Sequence, residues 1–244
     1  IDSHNSFWML RLRKDLFFNN GAQNMENMGN RLIGKGIGSF IDITSNEKFA
    51  ILNRLQSRGS NDLFLINTKT GHETILTYHN GPGTFFGQFS SSGKEIYVGS
   101  NLNRDFIAFG KIDIRKKDKP GAIKILVEKS NAELSSFKLN NDASLAALIW
   151  NVSGRNELTF YDLKNEKVIN KKINLPSEII GGITFSKDGK LLALEVSGAT
   201  NPRDIWILNM ESYQFRQLTF SPHAGVDLKK LIALNTSLKV IALK

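Results

Sequence analysis

A turn-like unit recurs four times along the chain, as Ile43-Thr44-Ser45-Asn46-Glu47-Lys48, Phe89-Ser90-Ser91-Ser92-Gly93-Lys94, Leu139-Asn140-Asn141-Asp142-Ala143-Ser144 and Phe185-Ser186-Lys187-Asp188-Gly189-Lys190. Successive copies lie 46, 50 and 46 residues apart. A fixed period of this kind marks a repeat architecture, in which each unit is one supersecondary element that cannot bury its faces alone. After every copy comes a short apolar run: Phe49 to Leu52, Ile96 to Val98, Leu145 to Trp150, Leu191 to Val196. A second apolar run ends each time in an Asx residue, Asn67, Asp113, Asp162 or Asn209, and these are spaced by 46, 49 and 47. Hairpin tips such as Thr68-Lys69-Thr70-Gly71 and Lys164-Asn165-Glu166-Lys167 follow, then an alternating strand, clearest in Glu73 to Thr77 and Phe215 to Thr219. The stretch before each turn unit supplies a fourth strand: Ser39 to Asp42, Thr84 to Phe89, Ser135 to Leu139, Gly182 to Phe185.

Four strands in 46 to 50 residues, with no helical periodicity between them, predict the blade of a β-propeller. The expected fold class is all-β, a partial propeller of about four to five four-stranded blades, with blades at about 39–83, 84–134, 135–181 and 182–227. A meander sandwich is the alternative, but sandwiches do not demand this period. Residues 1–38 read as a partial blade or an irregular segment, with Phe7 to Leu12 as a candidate outer strand, and 228–244 as a divergent tail alternating weakly at Leu238, Val240 and Ala242.

Composition limits the chemistry more than the fold. The 244 residues are 41% hydrophobic and 23% charged, an ordinary globular profile, and at about 47 residues per blade they hold five blades at most. With no cysteine, disulfides, thiolate nucleophiles, zinc fingers and iron–sulfur ligation are excluded. The net charge of +9 admits a polyanionic partner, yet the cations are spread. Their one tight cluster, Arg115-Lys116-Lys117-Asp118-Lys119, runs into the turn signature Pro120-Gly121 and is expected to be a solvated hairpin tip. Neither nucleic acid nor membrane is therefore an expected partner, and no stretch approaches the roughly 20 apolar residues of a spanning helix. Ile1 to Asn5 carry no initiator Met and no signal-peptide pattern, which suggests a fragment or processed chain and an expected cytoplasmic location.

Several segments resemble a known family. Ser60 to Asn67, Ile75 to Phe85 with its Gly81-Pro82-Gly83-Thr84-Phe85 stretch, Phe89 to Lys94, and Ser100 to Asp105 resemble the propeller domain of prolyl-oligopeptidase-family serine peptidases, in the acylaminoacyl-peptidase and dipeptidyl-aminopeptidase branch. Phe185 to Lys190 through Asp204-Ile205-Trp206-Ile207 is also similar to the TolB-type propeller repeat. In that family the propeller precedes an α/β-hydrolase domain carrying the Ser, Asp and His of catalysis, and Leu218 to Asp227 resembles the end of its last blade. The resemblance implies a hydrolase domain or a peptide substrate as partner. It also implies more blades than four.

The chain itself offers little catalytic machinery. A nucleophile elbow needs Gly-x-Ser-x-Gly, and no Gly here is followed two residues later by Ser. His72 and His79 are too far apart for a zincin pair on one helical face, so no metal is expected. Gly29 to Gly36 matches the Gly-x4-Gly-Lys part of a phosphate-binding loop but ends in Gly36 where Ser or Thr should hold magnesium, and no cofactor is expected. Trp150 and Trp206 read as core or blade-packing residues. The loop between the second and third strands of each blade carries Arg58, Arg104, Arg155 and Arg203, each just before Asn61, Asp105, Asn156 or Asp204. Equivalent loops fall on one rim, so these arginines are candidates for guiding a peptide carboxylate or docking a partner, with local Arg–Asx pairing or a solvated loop as the alternative.

The leading expectation is a non-catalytic propeller portion of a prolyl-oligopeptidase-type serine peptidase. It would gate access to, and dock, a hydrolase domain absent from this chain, and be inactive alone. The alternatives are an autonomous TolB-like scaffold for protein partners and, more weakly, polyanion binding. Self-association through exposed blade faces is expected of an open arc of blades.

Overall fold

The computed structural model describes residues 38–231. The segment read as an earlier partial blade, the glycine-rich stretch Gly29 to Gly36, Trp8 and the tail beyond Leu231 lie outside the described residues.

The described chain is all-β: sixteen strands in four antiparallel sheets, each a four-stranded meander in sequence order, followed by one 3-10 turn at Leu228–Lys230. The first sheet holds β1 (Gly38–Ile43), β2 (Phe49–Ser57), β3 (Ser60–Asn67) and β4 (Glu73–Ile75). In the second are β5 (Phe85–Phe89), β6 (Glu95–Ser100), β7 (Ala108–Asp113) and β8 (Lys124–Val127). The third has β9 (Glu133–Leu139), β10 (Leu145–Val152), β11 (Arg155–Asp162) and β12 (Lys167–Ile169). The fourth has β13 (Ile179–Phe185), β14 (Leu191–Ser197), β15 (Asp204–Asn209) and β16 (Phe215–Gln217). Contacts divide the chain into two compact units, with sheets one and two in the first and sheets three and four in the second.

Local hydrogen bonding explains why the repeat is so regular. In every turn unit a short polar side chain, Thr44, Ser90, Asn140 or Ser186, accepts from the amide five residues on, while its own amide bonds that residue's carbonyl. This closes the first hairpin of each blade. The turn also demands a left-handed residue, filled by Glu47 (φ 60), Gly93 (φ 61), Ala143 (φ 49) and Gly189 (φ 71). The Asx residue ending each third strand caps the next hairpin: Asn67 accepts from Lys69 and Thr70, Asp113 from Arg115, Asp162 from Lys164 and Asn165, and Asn209 from Glu211 and Ser212. Such short side chains satisfy turn amides that the ladder cannot reach.

Alternation along the strands then builds a core within each unit. In the first, Ile51, Leu63 and Leu65 of sheet one pack with Phe85, Phe89, Ile96, Val98 and Ile112 of sheet two. In the second, Ala147, Ile149, Leu158 and Phe160 of sheet three pack with Ile180, Leu192, Leu194, Val196 and Leu208 of sheet four. Burial of this kind contributes roughly 1.5 to 3 kcal/mol per large side chain. The second face of sheet three is equally buried, at Ala146, Leu148 and Trp150. Sheet four differs, since on its second face Leu191 is 39% exposed and Ala193, Ile205 and Ile207 are only half-buried.

The basic cluster after β7 is a hairpin loop, though not a uniformly solvated one. Asp113 accepts from the amide and guanidinium of Arg115, which hold its carboxyl down at about 2. Lys117 folds over the Phe49 ring at 5.0 Å and donates to the Gly93 carbonyl, and burial pushes its ammonium below the ordinary value.

The linker end of the blades as candidate site

Because the sheets are antiparallel meanders, the β2–β3 type turns and the linkers between blades lie at one end of each sheet, and the turn units and Asx hairpins at the other. All four predicted arginines fall at this linker end. Arg58 is exposed in the two-residue turn between β2 and β3. Arg104 is half-buried, bonds the Leu102 carbonyl and pairs with Glu128. Arg155 opens β11 and acts on Glu178, whose carboxyl is held low chiefly by the Ser177 hydroxyl. Arg203 pairs with Glu195 at 3.8 Å.

Two of the neighbouring Asx residues join one blade to the next. Asn61 bridges to the following sheet: its amide bonds the Gly83 carbonyl, its Oδ1 accepts from the Phe85 amide, and its Nδ2 donates to the Phe85 carbonyl and to Asn53. Asn156 does the same one unit later, accepting from the Ile180 amide while its own amide bonds the Glu178 carbonyl. Both side chains therefore staple one blade to the next. Removing such a group would strand buried backbone donors at about 1 to 3 kcal/mol each.

Asp62 and Asp204 make a second device, a clamp on the outer strand. Thr77 Oγ1 donates to Asp62 Oδ1 at 2.9 Å and accepts from the Leu63 amide, and Leu76 returns to the Leu63 carbonyl. Thr219 Oγ1 donates to Asp204 Oδ1 at 2.9 Å and accepts from the Ile205 amide, with Leu218 on the Ile205 carbonyl. Both threonines stand fifteen residues after their aspartates. A self-alignment keyed on Leu76-Thr77 and Leu218-Thr219 carries this signal, which the arginine pattern obscured.

The clamp also presents the residue that follows it. Tyr78 and Phe220 succeed the two threonines and are 75% and 78% exposed; with Leu55 at 64% they are the most exposed large apolar side chains among the described residues. Phe106, Ile179 and Leu218 add further exposed apolar surface at the linker ends. In each unit, then, the linker ends of the sheets carry both an exposed aromatic side chain and two of the predicted arginines.

Two residues of the same type pattern have different environments. His72 is exposed, 3.8 Å from Asp118, whereas the His79 ring is buried against Phe85. Trp150 is fully buried, whereas Trp206 is half-buried, packing against the core of the second unit while also lining a pocket there. Among the described residues no three His, Asp or Glu side chains group as metal ligands.

No protein-family model matches the chain, and no curated protein sequence does. Solved structures do share its fold. TolB from Acinetobacter baumannii superposes with a TM-score of 0.58 at 18% identity, over 75% of this chain and 44% of that one. Prolyl oligopeptidase B from Galerina marginata, bound to a 25mer macrocyclization substrate, superposes with a TM-score of 0.66 at 18% identity, over 79% and 27%. For a puromycin-hydrolyzing peptidase from Mycobacterium tuberculosis the values are 0.59, 10%, 74% and 29%. The chain therefore spans less than half the length of each of these three proteins. Four-stranded meanders stacked by their faces, and the likeness to TolB and to prolyl oligopeptidases that the repeat segments carry, together make the described chain a run of β-propeller blades.

Proposed function

We propose that this chain is a non-catalytic docking propeller whose linker end holds, and gates access to, an α/β-hydrolase domain of the prolyl-oligopeptidase type lying outside these 244 residues. The observation that carries the reading is that the linker ends of the first unit's sheets carry Tyr78 and Leu55 as well as Arg58 and Arg104, and those of the second unit's sheets carry Phe220 as well as Arg155 and Arg203. Tyr, Trp and Arg side chains dominate binding hot spots, where they fill well-packed, desolvated pockets on the partner. The chain enters and leaves every blade at this end, so a domain joined to the blades in one polypeptide would meet it first.

A photo-crosslinking amino acid placed at Tyr78 or Phe220, and as control at Lys69 or Asn165 on the opposite end, tests this in cells of the source. Hydrolase peptides cross-linked only from the linker end support the reading. Non-hydrolase partners there would support the TolB-like scaffold instead. Cleavage of acyl- or dipeptidyl-nitroanilides by the purified chain would overturn the non-catalytic assignment.

Self-association is a second reading, favoured by the half-covered face of sheet four at Leu191, Ala193, Ile205 and Ile207. Sedimentation of the wild type against Ile207→Lys tests it, with a monomer at all concentrations as the adverse result.

A further inference from the structure

We propose that the pocket at the linker end of sheet four binds an organic cation, the guanidinium or ammonium group of a basic peptide side chain. The pocket encloses about 380 Å³ and has Asp204 in its lining, with Trp206 and Phe220 as aromatic walls, Pro176 and Pro202 beside them, and the exposed His223 also among its lining residues. Asp204 is only 6% exposed. Burial works against its charge, but hydrogen bonds from Thr219, Ser221 and Gln217 outweigh that and hold its carboxyl below the ordinary value, so it is an anion at neutral pH. Every one of those donors is neutral. Arg203, next in sequence, offers no countercharge: it pairs with Glu195, whose register opposite Ile205 puts it on the other face of the sheet from Asp204.

The first sheet shows how the chain treats the same carboxylate elsewhere. Asp62 has the same threonine clamp, but two residues after Thr77 stands His79, whose Nε2 lies 3.5 Å from Asp62 Oδ1 and whose ring tilts against Phe85 at 5.1 Å. Two residues after Thr219 stands Ser221, which turns its hydroxyl to the Arg203 carbonyl and leaves the space open. Sheet one thus fills the site with an imidazole of its own. Sheet four keeps the carboxylate and the aromatic wall and leaves the space that the His79 ring takes in sheet one open to a ligand. A buried carboxylate flanked by aromatic faces attracts a cation through both charge and ring quadrupole.

The inference adds a ligand class to the docking end proposed above, yet it is read separately, with the purified chain and a peptide and without any hydrolase. The probe is N-acetyl-Gly-Arg-Gly-amide, against the same peptide with citrulline, which keeps the shape and loses the charge. Saturable change in Trp206 fluorescence, assigned through Trp206→Phe, is expected with the arginine peptide and at least about tenfold weaker with citrulline. Asp204→Asn should weaken arginine binding to a similar degree. Ser221→His, which rebuilds the arrangement of sheet one, should abolish it with the thermal transition retained, and covers the case in which Asp204→Asn fails to fold. Equal affinity for citrulline, unchanged binding in folded Ser221→His, or no saturable signal would each overturn the proposal.

Discussion

Sheets one and four carry the same aspartate–threonine clamp and use it differently. Around Asp62 the chain is closed: His79 fills the space, Phe85 backs it, and Gly83 allows the approach, since a Cβ there would lie 2.7 Å from the Phe85 ring and 2.9 Å from that of His79. Neither ring nitrogen of His79 has a hydrogen-bond partner among the described residues, so its proximity to Asp62 is its one polar compensation. Around Asp204 the chain is open: Ser221 stands where sheet one has His79, and a pocket lined by Trp206, Phe220 and His223 remains. The difference teaches that one backbone device can be a packing element or a binding element, according to the side chain two residues after the threonine.

The largest expected effect comes from removing the closed carboxylate. Asp62→Ala takes the acceptor from Thr77 and leaves buried His79 alone, which should cost about 3 kcal/mol, whereas Asp204→Ala, beside an open pocket, should cost about 1 to 2. Denaturant unfolding of both variants measures the gap, and equal losses would erase the distinction. His79→Ser should cost about 2 kcal/mol by leaving a cavity beside Phe85, and its crystal structure should show a new pocket at Asp62. A structure with Phe85 collapsed into that space would break the parallel with Ser221.

Acid titration sharpens the same contrast. The folded-state value of Asp204 lies below its unfolded value, near 3.8, so its contribution is fully present above that value and is lost as pH falls through the lower folded one. Asp204→Asn should therefore flatten the stability profile below about pH 4, to be followed by thermal melts. An unchanged acid limb would contradict the assignment. The smallest effect concerns the turn units: Glu47→Gly should stabilise the first blade by about 0.5 to 1 kcal/mol, and Gly189→Ala should destabilise the fourth by about 1, because both positions have positive φ. Melts of the two variants moving in the same direction would remove the equivalence of the turns.

Much of the blade grammar was legible because its bonds are local. Thr44, Ser90, Asn140 and Ser186 act within five residues, and Asn67, Asp113, Asp162 and Asn209 within three, so their periodic recurrence alone announces hairpins at fixed intervals. The candidate site was less legible. Arg58, Arg104, Arg155 and Arg203 lie at the linker end of their sheets, but the short polar residues that follow them in sequence reach further: Asn61 bonds Phe85, twenty-four residues on, and Asp204 bonds Thr219, fifteen on. Arginines attract notice by charge. The Asx residues beside them act through geometry that no local spacing reveals.

By itself, the sequence determined the four-strand repeat and its turn units among the described residues and the absence of a Gly-x-Ser-x-Gly elbow in this chain, since these rest on alternation, turn chemistry and residue order. Only the tertiary structure decided that His79 is buried while His72 is exposed, that Trp206 walls a pocket while Trp150 fills a core, and that Asp204 faces a pocket where Asp62 faces the His79 ring. The physical reason is that burial and charge compensation belong to groups brought together across linkers and between sheets, and those distances are set by packing rather than by position along the chain.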